Sequence, residues 1–417
     1  MNAKRRLAHR GLAALPGVRA VRRPVTPDGA EHFDLHYVRT GPKSDHPLVI
    51  IPGGPGLASV APYRGLRRHA TAAGLDVIMI EHRGVGLSRH DDHGADLPPQ
   101  ALTVDQVVDD VAAVLDDAQV DTAVLYGTSY GSYIAAGMGV RHPNRVKAMV
   151  LDSPLLSNED IEAMREAIRR VLWDGKTSET ADLAAKIREL VRRGTFTPAA
   201  AQLASLVYGF GGARLLDRHL NLLMQGRRGL WTALDGFARM TFERKSPYRN
   251  EVDLVTRIAF RELNYGGVPD GKPLDPAVAF REMATEVDDF EAEPYDLVAE
   301  MPKFTWPTVV VSGGRDLTTP PAVAERVAAL IPHSVLVRLP TAGHSALDIR
   351  EQAALQIAAA VCGAHAEELA ERAAMLDKLP APAAIRLIVA ALGTAAAVES
   401  MLPAVLHRRA IAPVANS

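Results

Sequence analysis

The 417-residue chain carries 47 Lys+Arg against 49 Asp+Glu, a formal net charge of −2, with 47% hydrophobic and 23% charged residues. That balance offers no electrostatic footing for nucleic acid or for an acidic membrane, and the composition is that of a folded globular protein. The length exceeds one ordinary domain, and the lone Cys362 excludes an internal disulfide and a cysteine metal cluster. A reducing compartment fits this, and a cytoplasmic location is expected.

Residues 1–23 are basic (Lys4, Arg5, Arg6, Arg10, Arg19, Arg22, Arg23) and have no continuous apolar centre. They read as a solvated basic arm rather than a secretory signal. Phe33, Leu35 and Tyr37 alternate with polar neighbours, the period of a half-buried strand. Leu48-Val49-Ile50-Ile51 is wholly apolar, suited to a strand covered on both faces, and runs straight into Pro52-Gly53-Gly54-Pro55-Gly56. A helix is expected over 62–73. A strand over 76–80 ends in Glu81-His82-Arg83-Gly84-Val85-Gly86-Leu87-Ser88. An amphipathic helix over 104–119, a strand over 123–126, a small-residue helix over 132–140 and a strand over 146–151 follow.

Between 153 and 301 the pattern turns helical (161–173, 180–193, 199–208, 214–223, 230–239, 252–263, 277–288). Strands and helices then alternate again over 308–312, 320–331 and 334–339, and helices close the chain over 365–378 and 382–398. The expected organisation is an α/β core over 1–152, a helical lid over 153–301, the second part of the core over 302–363 and a helical extension over 364–417. Residues 387–398, fenced by Arg386 and Glu399, are too few for a membrane span and read as a helix docked on the core or on a second subunit. The alternation implies a mostly parallel sheet with helices on both faces, whose ligand site lies beyond the strand carboxyl ends.

Gly127-Thr128-Ser129-Tyr130-Gly131 sits between a strand and a helix. A serine on so sharp a turn needs neighbours without bulk two positions to either side, and this strand–turn–helix G-x-S-x-G is the nucleophile elbow of the α/β-hydrolase fold. A serine hydroxyl is a poor nucleophile without an adjacent base oriented by a third group. In the chain order serine, acid, histidine, the acid candidate is Asp316 in Gly313-Gly314-Arg315-Asp316 and the base candidate is His344 in Ala342-Gly343-His344-Ser345. The oxyanion formed on attack needs N–H donors, expected from Tyr130, which follows the nucleophile, and from Gly54 in the glycine loop.

Together, Gly53-Gly54-Pro55-Gly56, Arg83-Gly84-x-Gly86-x-Ser88, the Ser129 elbow, Gly313 to Asp316 and Gly343-His344-Ser345 resemble the proline iminopeptidase (prolyl aminopeptidase) family. The likeness is to its longer bacterial branch, allied to tripeptidyl aminopeptidases, and covers roughly residues 30–350. It implies release of an N-terminal residue, typically proline, from short peptides through an acyl-enzyme, with no cofactor. Two departures stand out: Pro52 replaces the family's His before the glycine loop, and Glu81-His82 replaces its Asp-Gln.

Family members hold the free α-amino group with lid carboxylates. Glu262, on an apolar helical stripe with Val255 and Ile258, is the first candidate here and Glu243 the second. The same apolar stripe also allows a purely structural pairing of Glu262 with Arg261. An esterase, lactonase or amidase acting on small acyl substrates is the alternative activity, and a catalytically idle scaffold used for binding is the alternative class. His90-Asp91-Asp92-His93 lacks regular ligand spacing, so no metal is expected, and no phosphate or dinucleotide motif is present.

Overall fold

The computed structural model describes residues 3–283 and 289–402, apart from the side chains of Phe242, Glu243 and Met283. The chain opens with α1 (Ala3–Ala13), β1 (Val18–Pro24), β2 (His32–Thr40) and β3 (Leu48–Ile51). Next come α2 (Arg64–Ala72), β4 (Val77–Ile80), α3 (Val104–Asp117), β5 (Ala123–Thr128), α4 (Tyr130–Arg141) and β6 (Val146–Asp152). These strands and β7 (Thr308–Gly313) and β8 (Ser334–Leu339) form one eight-stranded sheet in the order β1-β2-β4-β3-β5-β6-β7-β8. The pairs β1–β2 and β2–β4 are antiparallel, and β4 through β8 run parallel.

The apolar runs of β3, β4, β5 and β7 are buried throughout, as strands covered on both faces must be. One core cluster packs α3 and α4 against the sheet through Val107, Val111, Ile134 and Met138. The opposite face is covered by α2 and by the helix Glu351–Cys362 through Leu66, Ala70, Ala354 and Ile357.

Between β6 and β7 the chain forms α5 (Asp160–Arg169), α6 (Ala181–Arg192), α7 (Pro198–Met224), α8 (Gly229–Ala238), α9 (Val252–Arg261), α10 (Pro276–Met283) and the short α11 (Leu297–Glu300). The insertion has its own apolar centre, with Ile168, Leu183, Ile187, Ala204 and Leu216 among its members. The helices expected over 199–208 and 214–223 are joined into α7, with a kink at Gly212 (φ 69°, ψ −173°). The helix expected over 277–288 is seen as α10, and its last five positions lie outside the described residues.

After β7 come α12 (Pro321–Leu330), β8, α13 (Ala346–Ile349), α14 (Glu351–Cys362), α15 (Leu369–Asp377) and α16 (Ala383–Met401).

Two expectations need correction. The N-terminal segment is not a solvated arm: it forms α1 and an edge strand, and the Arg5 side chain is only 11% exposed against a fully buried Glu251. Arg5, Arg22 and Arg23 have carboxylate partners far along the chain (Glu251, Asp92 and Asp110), a pairing that local composition does not reveal. The helix expected over 382–398 is α16, 19 residues, and, unlike the twelve-residue apolar run read within it, it is by length and composition long and apolar enough to cross a membrane. In this structure α16 docks on α7 and α8 of the lid rather than on the core, with Gly393, Ala396 and Glu399 buried. Glu399 accepts hydrogen bonds from the N–H groups of Gly229 (3.0 Å) and Leu230 (2.8 Å), capping α8.

Candidate active site

Six parallel strands deliver their carboxyl ends to one rim of the sheet, so residues far apart in sequence become neighbours there. Ser129 occupies the turn between β5 and α4 with φ 52° and ψ −125°, strained for a residue with a side chain. The turn works because its flanks are glycine: a Cβ on Gly127 would lie 2.2 Å from the Gly131 carbonyl oxygen, and one on Gly131 would lie 2.0 Å from that of Ile51. Ser129 N–H donates to the Asp152 carbonyl (2.9 Å), tying the elbow to β6.

His344, just beyond β8, meets Ser129 with Nε2–Oγ at 2.9 Å. Its Nδ1 lies 2.9 Å from Oδ2 of Asp316, just beyond β7. Asp316 is itself held: Oδ1 accepts from the N–H groups of Thr318 (2.8 Å) and Thr319 (2.9 Å), and Oδ2 from the Thr319 hydroxyl (2.9 Å). Burial pushes this carboxylate up, but His344 and the threonine N–H groups outweigh it and leave Asp316 below the usual range. Burial pushes the His344 imidazole down, and Asp316, joined by Asp152 and Asp348, outweighs that and leaves it above 6.5. The imidazole therefore carries its proton on Nδ1 toward Asp316 and offers a lone pair to the serine hydroxyl.

Around the loop that carries His344, Asp152 accepts from the N–H groups of Ala346 (3.0 Å) and Leu347 (2.9 Å). Ser345, at φ 64°, donates its N–H to Ser153 Oγ (3.0 Å), and its hydroxyl donates to Asp348 (2.5 Å). The three residues that follow His344 are thus pinned to the end of β6.

Tyr130 opens α4, so its N–H belongs to the first turn, where helical N–H groups lack intrahelical acceptors. The glycine loop after β3 approaches closely: a Cβ on Gly53 would lie 3.1 Å from Ser129 Cβ and 3.7 Å from its Oγ. Gly54 sits at φ 133°, a conformation side chains disfavour, and the Gly54–Pro55 peptide is cis. Gly56 O accepts the Glu251 N–H (2.9 Å), so the lid segment before α9 holds the loop's far end. The departures from the resembled family lie alongside. Glu81 accepts from the N–H groups of Ser59 (2.6 Å), Val60 (2.9 Å) and Leu87 (3.1 Å), joining the two loops. His82 is buried edge-on against the Tyr130 ring (6.2 Å), and burial lowers it to about 4, so it is neutral.

Of the two lid carboxylates, the structure describes the side chain of Glu262. Glu262 Oε2 accepts the Val104 N–H (2.8 Å), at the start of α3, and Oε1 pairs with Arg261 Nη2 (2.6 Å). Both oxygens are therefore engaged with the chain's own groups, which is the structural pairing rather than an amine clamp. A carboxylate on an apolar helix stripe is satisfied most cheaply by the nearest helix N-terminus and cation. Replacing Glu262 by Gln should cost about 1–2 kcal/mol of stability while leaving kcat/KM within about threefold, checked by urea unfolding beside steady-state rates. The Glu243 side chain lies outside the described residues.

Two further lid acids, Glu293 and Asp160, come forward only in the fold. Glu293 accepts from Asn158 N (2.5 Å) and Nδ2 (3.1 Å), and Asp160 accepts from Leu156 N (2.7 Å) and Ser157 N (3.2 Å). Burial first, then mutual repulsion, raises Glu293 to about 7, and burial raises Asp160 to about 6. Neither lies on a helical stripe that sequence periodicity would pick out.

A sequence-family profile described as alpha/beta hydrolase fold matches residues 46–210, the stretch from β3 through the elbow into the lid. The chain has the α/β-hydrolase fold. Over 153 residues it is 26% identical to a proline iminopeptidase of Arabidopsis thaliana, covering 36% of this chain and 37% of that protein. Over 107 residues it is 36% identical to a 2-hydroxymuconate semialdehyde hydrolase of Pseudomonas sp. (strain CF600), covering 25% and 35%. The matches thus span little more than a third of either curated relative. Among solved structures, a proline iminopeptidase from Mycobacterium smegmatis is similar at 17% identity and a TM-score of 0.48, over 84% of this chain and 99% of that one. Est816, an N-acyl homoserine lactone degrading enzyme, is similar at 21% identity and a TM-score of 0.44, over 78% and 93%. In the α/β-hydrolase fold of this chain the lid is the long insertion between β6 and β7, and the rim beneath it carries Ser129, Asp316 and His344.

The electrostatics sets a pH expectation. A base that must be neutral loses competence as it is protonated, and His344 lies above 6.5 in the folded chain. Hydrolysis should therefore fall as pH drops through a value above 6.5 and reach a plateau on the alkaline side, with Asp316 ionised throughout. A pH profile of kcat/KM still flat at pH 5 would contradict this.

Proposed function

We propose that the chain is a serine hydrolase working through an acyl-enzyme. The observation that carries this is the continuous Ser129–His344–Asp316 relay, 2.9 Å at each link. Ser129 Oγ attacks the substrate carbonyl while His344 Nε2 takes its proton. The tetrahedral oxyanion is received by the N–H groups of Tyr130 and Gly54, with the N-terminus of α4 behind it. His344 then returns the proton to the leaving group, and a water activated by the same imidazole releases the acyl group. No metal or cofactor enters these steps.

Within that chemistry, the proposed activity is that of an aminopeptidase releasing N-terminal residues, proline foremost, from short peptides. The motif resemblance supports it, as does the partial match to a proline iminopeptidase. Esterase or amidase action on small acyl substrates is the second reading, favoured by the commitment of both Glu262 oxygens to the fold.

A fluorophosphonate probe should label Ser129, and an unlabelled, folded protein would remove the hydrolase reading. Amino-acyl naphthylamides and p-nitrophenyl esters assayed side by side separate the two activities. Turnover of esters alone, with proline naphthylamide inert, leaves the esterase.

A further inference from the structure

Three arginines lie near the kink of α7: Arg315 against Gly212, and Arg350 and Arg386 beside Gly209 and Phe210. The Arg315 guanidinium lies against Gly212, within 2.8–3.0 Å of where a Cβ there would sit, and the Arg315 backbone N–H donates to the Ala342 carbonyl (2.9 Å). Arg350 donates through Nη2 to the Thr341 carbonyl (3.1 Å) and hydroxyl (2.7 Å), and through Nη1 to the Leu379 carbonyl (3.3 Å). Arg386, at the start of α16, completes the set. Asp377 is the carboxylate facing this group, and it is taken up by the N–H and hydroxyl of Thr341, both at 3.0 Å. Among the described residues none of the three guanidinium groups reaches a carboxylate within ion-pair distance. Burial, and then the like charge of Arg315, hold the Arg350 guanidinium below its usual range despite Asp377.

Between α7, the Thr341–Arg350 stretch and α16 lies a cavity of about 280 Å³. Phe210, Ile349, Ile385 and Val389 make its apolar wall, and Arg350 and Arg386 its charged side. Its floor touches the catalytic loop: Gly209 faces Gly343, where a Cβ would lie 2.8 Å from Gly209 Cα, one residue before His344.

We propose that this cavity is a second binding site, which takes a small carboxylate with an apolar body. The head group lies on Arg350 and Arg386, and the body lies against Phe210, Ile385 and Val389. Arg350 and Arg386 line one cavity without an ion-pair partner among the described residues, and a carboxylate there gains charge-assisted hydrogen bonds from them. The apolar wall selects a ligand with a hydrocarbon body over an inorganic anion. The carboxylate belongs either to a free acid or to the far end of a substrate held at Ser129, and the shared Thr341–His344 loop couples the cavity to catalysis in both cases.

Sodium octanoate titrated into the full chain by calorimetry tests the site. Wild type should bind it saturably at one site. Arg386→Glu should bind on the order of tenfold more weakly, Arg386→Lys should recover most of the affinity, and 1-octanol should not bind. Arg386 is exposed on α16, so the variants are expected to fold, which circular dichroism checks. No saturable binding by wild type, or equal affinity in wild type and Arg386→Glu, overturns the proposal. Ser129→Ala should bind octanoate like wild type, so this result stands apart from whether the chain hydrolyses anything. Competition by octanoate confined to the KM of peptides with a free C-terminus assigns the site to the substrate's own carboxylate. A change in kcat for an uncharged ester assigns it to a separate acid.

Discussion

Ser129→Ala should abolish turnover, lowering kcat by about a millionfold, because removing the nucleophile leaves only substrate binding and the oxyanion donors. Asp316→Asn should cost about 10⁴-fold. It keeps the shape but loses the charge that holds the His344 proton on Nδ1, and its amide can present N–H toward an imidazole that needs an acceptor there. The double variant should be little worse than Ser129→Ala alone, since the two groups act on one proton transfer. Thermal melting separates these effects from misfolding. Ser129 holds φ 52° at a cost, so Ser129→Ala is expected to melt close to wild type. Asp316→Asn should melt lower, because its oxygens hold Thr318 and Thr319. A Ser129→Ala protein, free of wild-type contamination, that still turns over its substrate would end the serine-hydrolase reading.

Arg5→Ala should destabilise the protein by about 3 kcal/mol and slow acyl transfer. Arg5 reaches Glu251 through Nη1 (2.5 Å) and Nη2 (2.8 Å), and the same Nη2 reaches the Gly86 carbonyl (3.2 Å). Glu251, with no exposed side-chain surface, also accepts the Gly86 N–H (2.6 Å). Its own N–H holds Gly56 O, at the end of the glycine loop that flanks Ser129. Removing the guanidinium leaves that carboxylate with Arg89, 3.7 Å away, as its cation. Breaking one side of a buried pair is costly because the other charge stays behind. The oxyanion loop then loses part of its anchor, so kcat should fall about tenfold with KM little changed. Arg5→Lys should recover part of both losses. Urea unfolding and steady-state kinetics read the two effects separately, and an Arg5→Ala protein with wild-type stability and kcat would show that α1 is an ornament.

Much of this was legible in the chain because it is local. A wholly apolar tetrad such as Leu48 to Ile51 can only be a covered strand, and Gly127 and Gly131 about Ser129 can only serve a turn too tight for side chains. The chain order of Ser129, Asp316 and His344 follows from topology, since parallel strands put every loop after a strand on the same rim. Glu262 shows where local reasoning stops. Its place on an apolar stripe announces a buried carboxylate, but the Val104 N–H that satisfies it lies 158 residues away.

Periodicity and glycine placement in the sequence therefore determined the strand–helix alternation, the helical insertion and the turn that carries Ser129, because strand, helix and turn preferences act over a few residues. Only the tertiary structure decided that the basic N-terminus clamps the lid through Arg5 and Glu251, that α16 docks on α7 and α8, and that Glu293 is taken up by Asn158. Those are long-range pairings of charge and apolar surface. Each partner looks ordinary in its own segment until folding removes water from between them.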